Sequence, residues 1–505
     1  NGCIMNIFAV AVNIHDHNTY DGKTHFLAER YTRAKHNLNR ENPHDPTPSR
    51  IFYKEHIEPK YIKQNEIFAF TVSNLGQEFV IDYLEESLPD KSFLDFNPTK
   101  LWDYYKTDSY YYIDHHQSHA AYALLTSGFE ESDILAIDGR GWQFNCIFID
   151  KDGLIHNISD KVSIGGLWNR LSQDLGFGYL GAGKTMGLAG YGKFDFDVYK
   201  MVHEYMKDPN HKLPKGSRDI LSNIPREDIA FTLQKYTIDL IKKYVYPLKT
   251  CKNICIAGGV AYNGYVNEEF TKHYDNVHVP PAAGDEGQSL GTYMHADFML
   301  NNNVHIPTVY AGLEHHVDEK IFQGLKYEKL PFEEICTQVA EAIDNGQIVG
   351  WYQGCSESGN RALGNRSILA DPRADYIQKE INSNIKLRED FRPFAPSVLE
   401  EYYQDYFDTN QPSPYMSRIM PVKSDKIPGV THVDGTARIQ TVNRKFNQRY
   451  YDVIDAFFKL TGVPMLLNTS FNCQEPIVET PQDAINTFNK CGLTVLVIND
   501  YIVRK

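Results

Sequence analysis

A plan stated twice constrains this chain more than any other feature. Near its start the apolar run Ile7 to Val12 ends in a polar turn, Asn13-Ile14-His15-Asp16. A hairpin-like return then leads into THFLAERYTRAKH. The plan begins again at Asp133. There ILAI ends in Asp138-Gly139, and CIFIDKDGLIHNISD turns around Asp152-Gly153 before longer segments follow. Strand, polar turn, hairpin, then helices, in duplicate, predicts an α/β fold built of two like halves.

Ahead of the second copy stands IDHHQSHAAYALL. His115 and His119 are four apart on a predicted helix, so both rings lie on one face. That is the spacing a metal asks of a helix. His116 points about a third of a turn away and is not expected to join them. Asp138 ends its strand and opens a glycine-flanked turn, Asp138-Gly139-Arg140-Gly141. A carboxylate there is placed to face a metal or a nucleotide phosphate. The plainer alternative is a surface helix with two solvated histidines and an unrelated turn.

Two further loops fit a ligand cleft. CIAGGVAYNGYVN runs a strand into Gly258-Gly259 and then a helix, with Asn263 at its start. VPPAAGDEGQSLG sets Gly284, Asp285 and Gly287 before another helix. Glycines at a helix start let backbone N–H groups approach phosphate oxygens. GYLGAGKT, from Gly178 to Thr185, satisfies the P-loop pattern literally. The match is expected to be accidental, because MGLAGYG reads as a turn where a P-loop needs a helix.

The net charge of −14 argues against generic nucleic-acid or anionic-membrane binding. No run approaches the ~20 apolar residues of a membrane span. The opening residues lead straight into a strand, so no secretory leader is expected. Eight cysteines without a C-x-x-C pair read as reduced thiols of a cytoplasmic protein.

A second, α+β domain is expected over 329–505, after a first domain over 1–328. FEEICTQVAEAIDNGQIVGWYQG predicts an amphipathic helix ended at Asn345-Gly346, then a buried strand. Basic residues gather here. NRALGNRSILADPR, NSNIKLREDFRPFAPS and GTARIQTV carry Arg361, Arg366, Lys386, Arg388, Arg392 and Arg438 beside Ser, Asn and Gly. In an acidic chain this predicts a pocket for a small anion, since arginine forks fit phosphate and carboxylate oxygens. Surface ion pairs with Asp371, Glu389 and Asp390 are the alternative.

The duplicated plan resembles the actin-like fold shared by sugar kinases and heat-shock ATPases, which binds a nucleotide in its cleft. The motifs together resemble the NodU/CmcH carbamoyltransferases across nearly the whole chain. They are AERYTRAKH, DHHQSHAAYA, AIDGRG, MGLAGYG, AGGVAYN, PAAGDEGQSLG, RALGNRSILADPR, KLREDFRPFAPSV and NTSFNCQEPIVETPQDA. The resemblance implies a duplicated actin-like domain followed by a YrdC-like domain. It implies that carbamoyl phosphate and ATP, with Mg, form carbamoyl adenylate in the second domain. That intermediate passes internally to the first, which carbamoylates a hydroxyl of a small-molecule or sugar-containing acceptor. Enclosure protects a mixed anhydride from water.

Carried over by position, the resemblance makes His115, His119, Asp138 and Asp285 ligands of a divalent metal. Family precedent favours iron(II), with zinc or manganese compatible with the same donors. It makes His15 the general base for the acceptor hydroxyl and sets Lys35 beside phosphate or the carbamoyl group. Gly139, Arg140, Gly141, Gly258, Gly259 and Asn263 would line the nucleotide. Arg361, Lys386, Arg392, Arg438, Asn468, Ser470 and Asn472 would hold carbamoyl phosphate. A homodimer is left open.

Three positions depart from the family pattern. Ser358-Gly359-Asn360 stands for Phe-Gly-Pro, Ala182-Gly183-Lys184 for Glu-Gly-Lys, and Asp16-His17-Asn18 for an Asp-x-Ser-Ala pattern. The third lies nearest the acceptor. Two rival functions fit parts of the pattern: an actin-like small-molecule kinase, and a non-catalytic nucleotide- and metal-binding regulator. The aromatic stretch WDYYKTDSYYY at 102–112 suits either a sugar-stacking face or a core.

Overall fold

The computed structural model describes residues 5–12, 16–33, 67–72, 92–139, 144–208 and 212–505. It divides into two compact units, 1–307 and 308–505. The division falls ahead of the boundary expected at 328/329. Residues 309–312 already belong to the second unit: Ser358 N–H donates to the Val309 carbonyl at 2.7 Å and Gly312 N–H to that of Ser356 at 3.0 Å.

In the first unit, β1 (Ile7–Val12), β2 (Asn18–Tyr20) and β3 (His25–Leu27) form an antiparallel meander. Strand β4 (Ile67–Val72) lies parallel to β1, and β6 (Tyr110–Tyr112) parallel to β4. With β5 (Tyr105–Lys106) at the edge, the order is β3-β2-β1-β4-β6-β5. The second sheet repeats this arrangement. Strands β7 (Asp133–Ile137), β8 (Cys146–Ile149) and β9 (Ile155–Asn157) are an antiparallel meander. Then β10 (Asn253–Ala257) and β11 (Asn276–His278) add parallel on the other side of β7, in the order β11-β10-β7-β8-β9. The hairpin expected at Asp152-Gly153 is present, with Gly153 at φ +82° closing the turn.

Strands β7 and β10 are buried along their whole length, as are residues 7–11 of β1. The His115–Ser127 helix packs on the second sheet through Ala120 and Ala123. The Gln288–Asn301 helix packs on the first through Ala296. The two helices also pack on each other, and Gly291 sets their distance. A Cβ there would stand 2.0 Å from the Ser118 carbonyl oxygen. Of the aromatic stretch 102–112, Tyr111 and Tyr112 are fully buried, and half-buried Trp102 packs on His295 and Phe298.

The segment after Gly181 corrects an expectation. Ala182–Ala189 is a helix, not a turn, because Thr185, Met186 and Ala189 bury one side of it. The P-loop match remains accidental for a different reason. The element before it is the Gly165–Asp174 helix, whereas a P-loop follows a strand.

The second unit is built on a mixed sheet of eight strands. These are β12 (Lys326–Lys329), β13 (Val349–Tyr352), β14 (Arg366–Ala370), β15 (Ala395–Leu399), β18 (Gln440–Val442), β19 (Met465–Ser470), β20 (Val495–Ile498) and β21 (Tyr501–Arg504). Their order is β12-β21-β20-β13-β14-β19-β15-β18, with β16 (Ile419–Pro421) and β17 (Thr436–Arg438) as a separate ribbon. The predicted helix is Phe332–Asp344, stopped at Asn345 with Gly346 at φ +77°. The whole is a mixed α/β protein. Among the described residues no helix is long and apolar enough to cross a membrane.

Candidate functional site

Asp114 starts the His115–Ser127 helix. Its carboxylate accepts the His116 N–H at 2.8 Å, and Gln117 returns a bond to the Asp114 N–H at 2.9 Å, closing a capping box. The other end of the Gln117 amide donates to the carbonyls of Lys100, Leu101 and Asp103. The first helical turn is thereby held rigidly, and it carries His115 and His119 on one face. Asp138 leaves the end of β7, and Asp285 opens the 3-10 turn before the Gln288–Asn301 helix.

One donor atom from each of His115, His119, Asp138 and Asp285 lies within 4.8 Å of the others. Asp138 Oδ2 is 3.3 Å from His115 Nε2 and 3.1 Å from His119 Nε2. Asp285 Oδ1 is 3.3 and 3.5 Å from the same two nitrogens. Donors bound about 2.1 Å from one ion stand roughly 3.0–3.4 Å apart at neighbouring positions. Asp285 Oδ1 is also buried without a hydrogen bond, although two imidazoles face it. A bare carboxylate oxygen facing two imidazole nitrogens fits a cation between them. Two imidazoles and two carboxylates suit iron(II), zinc or manganese alike.

Without a metal the cluster holds protons. Burial opposes charge on His115, but Asp285 and Asp138 overcome it and push the ring up to about 10. His119 is raised in the same way. Burial likewise opposes charge on Asp138, yet the hydrogen bonds from the two imidazoles keep its carboxyl well below the usual range. His116 goes the other way, to about 3, through burial and then repulsion from His115 and His119. A metal must displace the proton on His115. Metal affinity is therefore expected to rise between pH 6 and 8 by about tenfold per pH unit for each proton displaced. Metal titrations across that range check this, and an affinity independent of pH would contradict it.

Small residues make room for Asp138. A Cβ on Gly259 would come within 2.9 Å of Asp138 Oδ1, and one on Gly165 within 2.6 Å of its carbonyl oxygen. Gly258, at φ +88°, passes against the Ile137 carbonyl. Gly139 donates its N–H to Asp138 Oδ1 at 2.6 Å. Asn263 caps the Gly264–Phe270 helix through Val266 N–H and donates to Gln234 at 2.9 Å, so its amide is engaged at both ends. Arg140 and Gly141, like His15 and Lys35, lie outside the described residues.

Asn18 is a site residue that sequence reasoning did not single out. Its Nδ2 donates to the Asp285 carbonyl at 2.8 Å, and its Oδ1 accepts the Ser289 N–H at 2.8 Å. It staples the Asp285 turn to β2. The departure at Asp16-His17-Asn18 was the only signal pointing to it.

In the second unit three of the seven expected anion ligands meet directly. Lys386 is buried, and its ammonium donates to Ser470 Oγ at 3.1 Å, to Asn472 Oδ1 at 2.6 Å, and to the carbonyl oxygens of both residues. It ends a π turn, Asn382–Lys386, and Leu387 follows at φ +48°. Asn468 lies two residues before Ser470 on the same face of β19. Its Nδ2 donates to Ala362 O, Ser397 Oγ and Gln440 Oε1. Arg361 adjoins the first of these partners in sequence, and Arg438 precedes the last by two residues. Arg392 returns beside the π turn, where its carbonyl accepts from Asn382 at 2.9 Å. Its guanidinium is 3.7 Å from Glu389, a loose pair. Arg388 is pushed down to about 9 by burial and then by Arg392.

Two basic residues turn out to be structural. Arg366 is fully buried, donates to the carbonyls of Gln353, Gly354, Asn365 and Glu479, and covers the Tyr352 ring. Arg373 pairs with Asp371 and Asp344, the ion-pair alternative realised at that position.

Two family models match this chain: Carbamoyltransferase N-terminus over residues 52–294 and Carbamoyltransferase C-terminus over 340–505. Nodulation protein NolNO of Sinorhizobium fredii is 36% identical over 439 residues, covering 78% of this chain. This chain spans only 64% of that relative's length. Nodulation protein NolO of Bradyrhizobium diazoefficiens is 35% identical over 432 residues, covering 78% of this chain and 79% of its own. The 3'-hydroxymethylcephem-O-carbamoyltransferase of Amycolatopsis lactamdurans is 32% identical over 338 residues, covering 63% and 64%. The chain belongs to the carbamoyltransferase family of enzymes.

Proposed function

We propose that this protein is an ATP-dependent O-carbamoyltransferase. Carbamoyl phosphate, ATP and one water give carbamoyl adenylate, phosphate and pyrophosphate. An acceptor hydroxyl oxygen then bonds to the carbamoyl carbon as the bond from that carbon to AMP breaks. AMP leaves with the electron pair, and the hydroxyl proton passes to a base, for which His15 is the candidate. The observation that carries this reading is the convergence of His115, His119, Asp138 and Asp285 in a chain of this family. The matching strand orders of the two sheets support a duplicated actin-like first domain, with the nucleotide near Gly139, Gly258 and Gly259. Lys386, Ser470 and Asn472 support an anion pocket in a YrdC-like second domain.

The four cluster residues would hold a divalent metal, which when bound supplies positive charge to polarise a carbonyl or phosphoryl oxygen. The chain's own part is to position. Lys386, held by Ser470 and Asn472, supplies a fixed positive charge beside the pocket. Asn18 and the capping box keep the ligand-bearing turns in place. The acceptor is taken to be a hydroxyl of a sugar-containing or other small molecule.

Incubation of the purified chain with ATP, Mg and labelled carbamoyl phosphate tests the reading. Pyrophosphate release that depends on carbamoyl phosphate, then label on an acceptor from a cell extract with AMP formed, is expected. ATP use without carbamoyl phosphate, with phosphate appearing on a sugar, would replace it with the kinase alternative.

A further inference from the structure

Lys386 is held by Asn472, and Asn472 is held from behind in its turn. Its Nδ2 donates to the Glu475 carbonyl at 2.7 Å, while its Oδ1 accepts from Lys386 Nζ at 2.6 Å and from Ser470 Oγ at 2.8 Å. Exchanging nitrogen and oxygen would set the NH2 against the ammonium and two carbonyl oxygens against each other. The network therefore determines the orientation. The side chain of Glu475 fixes the turn that makes this arrangement possible. Its Oε1 accepts the Cys473 N–H at 3.3 Å and the Thr487 hydroxyl at 2.7 Å, and its Oε2 accepts the Gln474 N–H at 3.2 Å. Thr487 is buried in the Pro481–Lys490 helix, which a capping box between Thr480 and Asp483 starts. That helix packs into the core through Ala484, Ile485 and Phe488. The carboxylate thus ties an irregular turn to a rigid element. Burial opposes charge on half-buried Glu475, yet the bond from Thr487 and then those from the backbone N–H groups of the turn keep its carboxyl below the usual range. An ionised carboxylate makes the stronger class of hydrogen bond. A second brace joins the same turn to the residue after Lys386, where Gln474 Nε2 donates to the Leu387 carbonyl at 3.1 Å.

We propose that Glu475 is a positioning residue for carbamoyl-phosphate binding: its carboxylate clamps the 472–475 turn to the Pro481–Lys490 helix, so that Asn472 aims Oδ1 at Lys386 and fixes the place of that ammonium. The inference rests on the proposed function. Glu475 acts through Asn472 and touches no substrate. Without its carboxylate, two backbone N–H groups and one hydroxyl lose their acceptor, and the turn relaxes. Asn472 is then free to rotate, and the ammonium follows it. A misplacement of about 1 Å, even from a change remote from the chemistry, can cost about 100-fold.

The test follows pyrophosphate release by the full chain at varied carbamoyl phosphate and at varied ATP. Glu475→Ala should raise the KM for carbamoyl phosphate about 10- to 100-fold and leave the KM for ATP within about twofold. Glu475→Gln, which keeps one acceptor oxygen, should recover part of the loss. A turn that merely stabilised the fold would lower kcat with the active fraction and leave both KM values alone. Thr487→Val removes the same bond from the helix side, and carries the test if Glu475→Ala does not fold. It should raise the KM for carbamoyl phosphate at least about threefold, the worth of one hydrogen bond. A double-mutant cycle locates the route. Its probe is phosphonoacetamide, an unreactive carbamoyl phosphate with a methylene for the bridging oxygen, and its binding is measured calorimetrically. Glu475→Ala should weaken that binding about tenfold in the otherwise unaltered chain, and less than about twofold in the Asn472→Ala background. The inference is overturned if the KM for carbamoyl phosphate is unmoved by Glu475→Ala and Thr487→Val, if both KM values rise together, or if the cycle is additive. Absence of carbamoyl-phosphate-dependent pyrophosphate release from the unaltered protein would sink the proposed function, whereas normal release with a KM indifferent to Glu475 sinks only this inference.

Discussion

His119→Ala is expected to strip the protein of stoichiometric metal and abolish carbamoyl transfer while the fold survives. His119 Nε2 faces Asp138 Oδ2 at 3.1 Å and Asp285 Oδ1 at 3.5 Å, so it touches both carboxylates of the cluster. Loss of an outer-shell partner alone typically weakens metal binding 10- to 100-fold, and loss of a direct ligand should cost at least about 100-fold. The helix should tolerate the change. Its capping box is made by Asp114 and Gln117, its core contacts come from Ala120 and Ala123, and alanine is the best helix former. Elemental analysis after desalting, with circular dichroism as the control for folding, decides the matter. A variant that retains one metal per chain would remove His119 from the ligand set.

The second large effect belongs to Lys386. Lys386→Met is expected to lower carbamoyl-phosphate-dependent pyrophosphate release by about 100- to 1,000-fold, the usual effect of removing one preorganised electrostatic group. The side chain is buried, and its ammonium is held by Ser470 and Asn472 through side chains and carbonyls. Methionine keeps the stem and deletes the charge. The abandoned oxygens also lower stability, so thermal denaturation must accompany the kinetics. His119→Ala, by contrast, should spare at least part of pyrophosphate release, because its residue lies in the other unit. Equal loss of that step in both variants would argue against two separate sites.

Much of this was written locally in the chain. The i,i+4 histidines, the hairpin at Gly153 and the helix stop at Asn345-Gly346 each depend on residues within a few positions of one another, where periodicity and turn chemistry act directly. The duplicated plan was legible for the same reason, since each copy repeats the order strand, turn, hairpin. The segment after Gly181 misled because its glycines imitate a turn. Burial of Thr185, Met186 and Ala189 overrides that weak propensity.

The sequence by itself determined which residue types stand at strand ends and helix starts, and hence that two histidines share a face and that cations gather in the second unit. Only the tertiary structure decided which of them meet. Asp285 comes within 3.3 Å of His115, a residue 170 positions earlier in the chain. Asn18 binds the Asp285 turn across 267 positions. Arg366 looked like a pocket residue by composition, yet four carbonyl groups claim it as a structural part. Long-range pairings of this kind follow from sheet order and helix packing, and desolvation gives each polar contact its worth. Neither is encoded in any short window of sequence.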